Sequence, residues 1–271
     1  MKSNVGIGLR YPHYQKMIDL KPDIGWCEVH SENFFGEGAR LQYLLSVREH
    51  YPVSLHGVGL SLGSVTEPDE MHLQRLAALI QKVEPCFVSE HLSWSKLGNV
   101  YYPDLFPLPY TDESFALIAR NIQKTQNFLK RNILIENPSS YVTYRESTWD
   151  EADFFVTLAR ETGAQLLVDV NNIFVSCMNH GWDAKAYIHK IPAFLVKEIH
   201  LAGHSTRQIE NFLLRIDSHD HPVCSEVWDL YALALQQWGK VPTLLEWDEA
   251  IPPLEDLLIE AEKIRIIQEN V

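Results

Sequence analysis

The amino-acid sequence predicts an α/β fold, a closed (β/α)8 TIM barrel. Short apolar segments rich in β-branched residues alternate with segments whose apolar residues recur at helical spacing, and this alternation is typical of a parallel sheet covered by helices. Eight such strand–helix units fit into 271 residues, and a barrel of this kind takes about 250 residues. No linker or repeat interrupts the pattern, so we expect one domain over residues 1–271. An open doubly wound sheet is the alternative.

Four strands are predicted in the first part of the chain. Each is a short apolar run, and polar side chains follow the apolar residues of the second, third and fourth runs. A helix is predicted near 40–50, and another is expected to begin at Pro68, since proline suits the first turn of a helix. The four strands are expected at Val5–Leu9, Trp26–Asn33, Pro52–Leu60 and Cys86–Leu92.

Four further strands complete the pattern. A long connection rich in proline and tyrosine, Trp94–Tyr110, precedes a helix over Asp112–Lys130. Gly163 is expected to end the helix after the fifth strand. The strands are expected at Ile133–Asn137, Leu166–Phe174, Val196–Leu201 and Thr243–Asp248, and the other helices at Trp149–Glu161, Ala184–Lys190, Ser225–Gln237 and Leu254–Gln268.

The sixth predicted strand contains residues that a buried strand should exclude. Asp169, Asn171 and Asn172 follow its apolar residues, and burying a carboxylate costs roughly several kcal/mol unless a metal or a partner compensates it. The same order, an apolar strand followed by His, Glu, Asp or Asn, recurs along the chain. This repetition is the main functional signal in the sequence.

In a barrel these strand-end residues meet, because the C-terminal ends of all eight strands converge on one face. Several imidazoles and carboxylates at one mouth suit a first-row transition metal such as Fe, Mn or Zn. More than six candidates are too many for one such ion, so at least two metals are expected. The candidates are His56, His91, Glu136, Asp169, Asn172, His200 and Glu246 near strand ends, with His204, Asp217, His219, Asp220 and His221 from the long segment Ala202–His221.

Each candidate also has a structural interpretation. A lone buried histidine is more often a satisfied core residue than a ligand, and a strand-end glutamate often pairs with a basic side chain. An acidic residue or histidine occurs at the same end of six separate strands, and this recurrence favours the interpretation of these residues as metal ligands. Asp217 and His219, two residues apart, are expected to lie on one side of an extended segment that closes over the mouth. Glu90 is expected to point away from it, and His50, His72 and His189 are expected in solvent on outer helices.

Composition excludes several classes of protein. A formal net charge of −13 without a Lys/Arg run disfavours nucleic-acid binding, which needs a basic surface. The four cysteines form no C-x-x-C pair, which favours reduced core thiols. The N-terminal residues lack the apolar region of a signal peptide, and no apolar run reaches about 18 residues, so we expect a soluble cytoplasmic protein that does not bind membranes.

Five blocks of the sequence resemble the signature of a known family, the multinuclear non-haem iron-dependent oxidative enzymes. This group includes the iron enzyme of methanobactin biosynthesis and has a xylose-isomerase-like barrel. The similarity extends from Gly6–Arg10 to Glu246–Asp248. The blocks are Ser89–Trp94 (SEHLSW), Ile135–Ser140 (IENPSS), Val168–Asn172 (VDVNN), Glu198–His204 (EIHLAGH) and Leu245–Asp248 (LEWD).

The resemblance implies an enzyme that holds two or three irons and uses O2 as co-substrate. Family members modify cysteine residues of ribosomally synthesised peptides, often to oxazolone–thioamide groups, and a small partner protein commonly delivers the peptide. Asp217 and His219 would then be the ligand pair on which catalysis depends. The positions that match the family's iron ligands are His56, His91, Glu136, Asp169, Asn172, His200, Asp217, His219 and Glu246.

Three alternatives stay open at this stage. A divalent-metal sugar isomerase would use the same fold with a lysine near the metals, and the only lysine close to a strand end is Lys197. A three-metal phosphodiesterase of the same superfamily is disfavoured by the acidic composition. A non-catalytic metal-binding or peptide-binding scaffold is the third alternative.

Overall fold

A computed structural model describes residues 3–98 and 100–271, and these residues form twelve β-strands. Numbered in chain order, the strands are β1 (Val5–Gly8), β2 (Trp26–His30), β3 (Val53–Gly57), β4 (Val88–His91), β5 (Trp94–Leu97), β6 (Val100–Phe106), β7 (Leu134–Glu136), β8 (Gln165–Asp169), β9 (Val196–Leu201), β10 (Ser205–Ile209), β11 (Phe212–Ile216) and β12 (Thr243–Leu245).

Eight of these strands close into a barrel, and each is parallel to its neighbours. Around the barrel the order is β1, β12, β9, β8, β7, β4, β3 and β2, and β2 pairs with β1. The (β/α)8 barrel predicted from the sequence is therefore confirmed. Since the strands are parallel, all their C-terminal ends open on one face, which we call the mouth.

Helices cover the outside of the barrel. Buried leucines of one helix, Leu73, Leu76 and Leu79, recur at the spacing that keeps one helix face against the sheet. None of the described helices is long and apolar enough to cross a membrane. The helices are α1 (Tyr14–Leu20), α2 (Ala39–Arg48), α3 (Glu70–Val83), α4 (Asp112–Leu129), α5 (Glu151–Thr162), α6 (Val170–His180), α7 (Ala184–Lys190), α8 (Ser225–Trp238) and α9 (Leu254–Asn270).

Two expectations about helix and strand ends are corrected. Helix α3 begins at Glu70 and not at Pro68, because the Asp69 side chain caps it by accepting a hydrogen bond from the His72 amide at 3.0 Å. The predicted strand Leu166–Phe174 ends at Asp169. Asp169 caps α6 in the same way, so the residues that follow it are helical and not extended.

Both long connections contain a β-hairpin that the sequence analysis described only as a loop. Strands β5 and β6 pair antiparallel within the segment 94–110, and β10 and β11 pair antiparallel within 202–221. Each hairpin follows a barrel strand, β4 and β9 respectively. Both hairpins therefore begin on the face of the barrel that carries the mouth, and residues of β6 line it.

The barrel interior changes from apolar to polar towards the mouth. Trp26 is fully buried, and it leaves so little space that a Cβ at Gly6 would lie 2.3 Å from its indole ring. Glu28 and His30 follow Trp26 at two-residue spacing, so all three side chains lie on the same side of β2. Strand alternation thus places charged side chains inside the barrel, above an aromatic base.

Candidate metal centre

Three side chains from neighbouring strands meet on one side of the mouth. His56 of β3, His91 of β4 and Glu136 of β7 are all buried. The Nε2 atoms of both imidazoles lie 3.2 Å from Glu136 Oε2, and the two imidazole rings are 4.5 Å apart between centroids. Potential ligand atoms from three strands therefore converge on one point.

Contacts on the far side of each imidazole orient it. His91 Nδ1 lies 3.0 Å from the carbonyl oxygen of Gly57, so this nitrogen carries the proton and donates it. His56 Nδ1 lies 2.8 Å from Ser89 Oγ. Burial lowers the pKa of His91 to about 4 and, together with the neighbouring imidazole, holds the pKa of His56 well below its usual value. Both rings are neutral at pH 7, as a metal ligand must be.

A second group occupies the centre of the barrel. His200 Nδ1 lies 3.2 Å from Glu246 Oε2 and 3.7 Å from Glu136 Oε1. Asp169, beside His200 in the register of β8 and β9, accepts a 2.6 Å hydrogen bond from the Asn172 amide through Oδ1. The Oδ2 atom of Asp169 and the Oδ1 atom of Asn172 have no hydrogen-bond partner. Together with the first group, these atoms form a larger set of potential metal ligands.

Asp217 and His219 form the rim of the mouth. His219 Nε2 lies 2.7 Å from Asp217 Oδ1, without the geometry of a hydrogen bond. The Asn171 side-chain amide and the Ser139 hydroxyl donate to the two oxygens of Asp217 at 2.8 and 3.1 Å, and its backbone N–H donates to the Tyr141 hydroxyl. The segment is not extended as expected, since His219 has a left-handed φ of 48°. The two side chains nevertheless meet, and their neighbours position them.

The carboxylates of the centre repel one another. Burial raises the pKa of Glu136 well above its usual range, and the charge of Asp169 adds to this effect while His200 opposes it. Burial also raises the pKa of Asp169 to about 7, and Asp217 contributes in the same direction. A cation placed among these groups would remove both the desolvation penalty and the repulsion.

The donor set fits metal ions. Buried polar atoms nearly always have a hydrogen-bond partner, a water or an ion. Within the described residues, five groups of three His, Asp or Glu side chains have potential ligand atoms within 4.8 Å of one another, and imidazole with carboxylate suits a first-row transition metal. The atoms at the centre without a hydrogen-bond partner are Glu136 Oε2, Asp169 Oδ2, Asn172 Oδ1, His200 Nδ1 and Nε2, and His219 Nε2.

Comparison of the sequence with known families places this site in context. The model of a family described as RiPP precursor modification enzyme MbnB/TglH/ChrH matches residues 4–269. The chain belongs to this family. A UPF0276 protein from Vibrio parahaemolyticus serotype O3:K6 is 47% identical to this MbnB/TglH/ChrH chain over 268 residues, which are 98% of the chain and 93% of the relative.

Solved structures resemble this family member in fold. A xylose isomerase-like TIM barrel protein from Mycobacterium smegmatis in complex with magnesium gives a TM-score of 0.62 at 12% identity, covering 99% of both chains. Endonuclease IV from Thermus thermophilus gives 0.61 at 14% identity, covering 98% of this chain and 99% of that one. At these identities the likeness concerns the fold alone, and it confirms the xylose-isomerase-like barrel.

Two residues of the mouth, His30 and Asp248, were not predicted from the sequence. His30 Nε2 lies 3.5 Å from Glu246 Oε1 and 4.0 Å from Asp248 Oδ2, and these three residues form one of the five groups. The signal was present, because His30 ends β2 as His56 lies near the end of β3, and the two are register partners. The strand had been expected to continue to Asn33, which obscured its polar end.

Arg10 supplies a fixed positive charge to the same side of the mouth. Its Nε donates to Asp248 Oδ1 at 2.6 Å, and its Nη2 donates to Glu246 Oε1 at 3.1 Å. Burial alone would lower the pKa of Arg10, but the two carboxylates raise it above its usual value. The guanidinium therefore neutralises part of the negative charge of Glu246 and Asp248.

Two further glutamates missed by the sequence analysis lie beneath His200. Glu28 Oε1 is 3.0 Å and Glu198 Oε1 is 3.6 Å from His200 Nε2, and both glutamates are buried. Although burial lowers the pKa of His200, Glu28 and Glu246 raise it well above its usual value. Glu28 Oε1 is thus the carboxylate oxygen beside Nε2, while Nδ1 faces Glu246 and the mouth, and Glu28, His200 and Glu246 form one of the five groups.

Three residues expected at the mouth lie outside it. His204 Nδ1 approaches Asn171 Oδ1 at 2.9 Å, so this imidazole supports the rim from behind. His221 is largely exposed and contacts Asp220. Their segment turns after His219, which directs the later side chains outwards.

Two residues that were expected away from the mouth, Glu90 and His72, also have defined contacts. Glu90 accepts a 3.0 Å hydrogen bond from the backbone N–H of Leu60, in agreement with the expected structural role. His72 was expected in solvent but is partly buried, with Nε2 3.4 Å from Glu32 Oε1 and its ring against Phe35. Neither residue contributes to the mouth.

Proposed function

We propose that the protein is a multinuclear non-haem iron oxidoreductase that uses O2 to modify cysteine residues of a ribosomally synthesised precursor peptide. The observation that carries the proposal is the set of buried ligand atoms without partners at the mouth. Membership in a family of RiPP precursor modification enzymes supports the class of substrate. By the same family logic, a small partner protein delivers the peptide in the cytoplasm.

The residues proposed to hold two or three irons are those that the sequence analysis selected. Glu136, Asp169 and Glu246 each occur in more than one of the five groups, so each would contribute to more than one part of the metal centre. Asp217 and His219 form the outermost pair and would hold an ion at the rim. The other proposed ligands are His56, His91, Asn172 and His200.

Iron bound here would supply one-electron redox steps with O2 and would lower the pKa of a substrate thiol. The protein contributes the enclosure. The mouth cavity has a volume of about 510 Å³, within the usual range for a small ligand or a short piece of peptide. Tyr102 and Leu105 of the β5–β6 hairpin and Tyr141 line this cavity.

The reacting thiol has to come from the substrate. Burial raises the pKa of Cys86 and of Cys177 to about 12, and that of Cys27 above the normal range. These thiols are therefore protonated and unreactive at neutral pH. Cys224, the fourth cysteine, is not among the residues that line the mouth cavity, and neither are the other three.

Anaerobic loading with Fe(II), followed by O2 and a cysteine peptide, tests the proposal. The peptide to test is any short cysteine-rich product encoded beside the gene of this protein, supplied with and without a small partner protein encoded there. We expect an O2-dependent mass change that tandem mass spectrometry assigns to a cysteine. A peptide with Cys→Ser and protein loaded with Zn(II) are the controls. Unchanged peptide under all of these conditions would refute the activity.

The alternatives have less support from the mouth. A sugar isomerase is expected to place a lysine near the metals, and no lysine lines the mouth within the described residues. A phosphodiesterase would bring a polyanion to a mouth whose lining includes Asp104, Asp217, Glu246, Asp248 and Glu249. Isomerisation of a ketose or cleavage of abasic DNA by the metal-loaded protein would favour these alternatives.

A further inference from the structure

A second cavity, which we call the side cavity, lies beside the metal centre. It has a volume of about 460 Å³ and is formed by the start of α5, the start of α7 and the segment 138–149. Its walls are unusually aromatic. The aromatic residues are Tyr110, Tyr144, Trp149, Trp182 and Tyr187.

Glu151 lines this cavity and is only 8% exposed. Its Oε1 accepts a 3.0 Å hydrogen bond from the Tyr187 hydroxyl, whereas Oε2 is buried and has no hydrogen-bond partner. A buried carboxylate oxygen without a donor is costly, so the site is incomplete as it stands. Burial raises the pKa of Glu151 to about 7, although the tyrosine hydroxyls oppose this. A cationic donor in the cavity would stabilise the ionised form.

The other charged groups at the cavity are already satisfied. Asp150 and Asp183 cap α5 and α7 by accepting hydrogen bonds from backbone N–H groups. Lys190 is paired with Asp150 at 2.8 Å and with Asp153 at 3.0 Å. Glu151 is therefore the acidic residue of the cavity with a buried carboxylate oxygen that no neighbour satisfies.

One segment of chain separates the side cavity from the mouth. Ser139 faces the mouth, where its hydroxyl donates to Asp217. Ser140 lines the side cavity. Consecutive Cα atoms are about 3.8 Å apart, so a peptide that crosses this segment reaches both sites within a few residues.

We propose that the side cavity binds a lysine or arginine side chain of the same peptide whose cysteine enters the mouth. This inference rests on the proposed function for its choice of peptide. The aromatic walls pack against the aliphatic stem and attract the cation, and Glu151 Oε2 accepts its hydrogen bond. The net charge of −13 favours the approach of a basic ligand.

Binding of a small probe tests the site without any metal chemistry. Nα-acetyl-lysine methylamide is titrated into the full-length protein by ligand-observed NMR, with Nα-acetyl-norleucine methylamide as the neutral control. We expect binding of the lysine probe only, and Glu151→Gln should weaken it about tenfold, the order of one charge-assisted hydrogen bond. Glu161→Gln is the matched control, because Glu161 lies on the same helix, is exposed and is outside the cavity lining.

A second variant keeps the test decisive if Glu151→Gln does not fold. Trp182 is 40% exposed and lines the cavity, so Trp182→Leu should fold and weaken the lysine probe about threefold through loss of the aromatic face. Equal affinity of the lysine and norleucine probes, or unchanged lysine affinity in both variants, overturns the proposal. Binding of putrescine in preference to the lysine probe also overturns it, since the occupant would then be a free amine.

A kinetic experiment separates this inference from the proposed function. With a peptide that is oxidised, Glu151→Gln should raise KM about tenfold and leave kcat unchanged, and a Lys→norleucine peptide should lose this difference. If the peptide is oxidised and Glu151→Gln does not change KM, the assignment of the side cavity is wrong and the proposed function stands. If the protein binds the lysine probe but oxidises no peptide, the proposed chemistry is wrong and the lysine site of the side cavity stands.

Discussion

Two buried glutamates, Glu136 and Glu151, each have a carboxylate oxygen without a hydrogen-bond partner, yet their surroundings differ. Glu136 faces two imidazole nitrogens at 3.2 Å. Glu151 faces tyrosine hydroxyls and indole rings. Nitrogen lone pairs and a carboxylate suit a metal ion, whereas aromatic faces and a carboxylate suit an organic cation. The atoms around an unpaired carboxylate, more than its burial, thus indicate what it binds.

The largest effect is expected from removing a shared ligand. Glu136→Ala or Asp169→Ala should lose at least about half of the bound iron with a smaller change in melting temperature, because each residue belongs to two of the five groups. Glu151→Ala is the matched control and should keep all of its iron. Elemental analysis measures this directly. If both mouth variants keep their full iron content, Glu136 and Asp169 are not metal ligands and Glu136 does not differ from Glu151 in this respect.

Removing the rim pair should affect one ion. Asp217→Ala combined with His219→Ala is expected to lose about one iron per chain, keep the others and abolish peptide oxidation, because the pair reaches the mouth from outside the barrel. Asp220→Ala with His221→Ala removes an equivalent pair that points outwards. If the rim variant retains full iron and turnover, the segment serves only as a lid.

A smaller effect is expected beneath the centre. Glu28→Gln removes the carboxylate 3.0 Å from His200 Nε2, and loss of such a supporting group typically lowers metal affinity about 10-fold to 100-fold. Competition with a chelator gives the affinity. Glu260→Gln, another buried carboxylate, is the control. Equal affinities would mean that the barrel wall alone orients His200.

Another effect concerns pH and the stability of the side cavity. The pKa of Glu151 is raised from 4.5 to about 7 by burial, so the folded state holds its proton more tightly than the unfolded state. Its contribution to stability is fully present below pH 4.5 and is lost as the pH rises through 7, and amounts to about 3 kcal/mol. Tyr110, Tyr187 and Asp150 are the groups that act on it.

Urea denaturation of the metal-free protein between about pH 4.5 and pH 8 measures this contribution. The wild-type free energy of unfolding should fall relative to that of Glu151→Gln as the pH rises. Subtracting the variant cancels the titration of the mouth. A difference that does not change with pH would mean that Glu151 already has a partner in solution.

The features that could be predicted from the sequence are those that follow from a single pattern, an apolar run followed by a polar residue. Apolar runs indicated the strands, and the polar residues at the ends of most of these runs indicated the mouth, which is why His56, His91 and Glu136 could be selected. Boundaries were harder, because an Asp that ends a strand can equally cap a helix, as Asp169 does. The side cavity depends on segments that only the fold brings together, and no local pattern marks Glu151 as buried.

Arg10 has a consequence for how the protein is assembled. Its guanidinium is already in place between Glu246 and Asp248, so the polypeptide does not need an iron ion to balance these charges while it folds. We therefore expect the newly made chain to complete its barrel first and to acquire metal afterwards. Under the proposed function, cells short of iron would then accumulate a folded pool without metal that can be activated later without new synthesis.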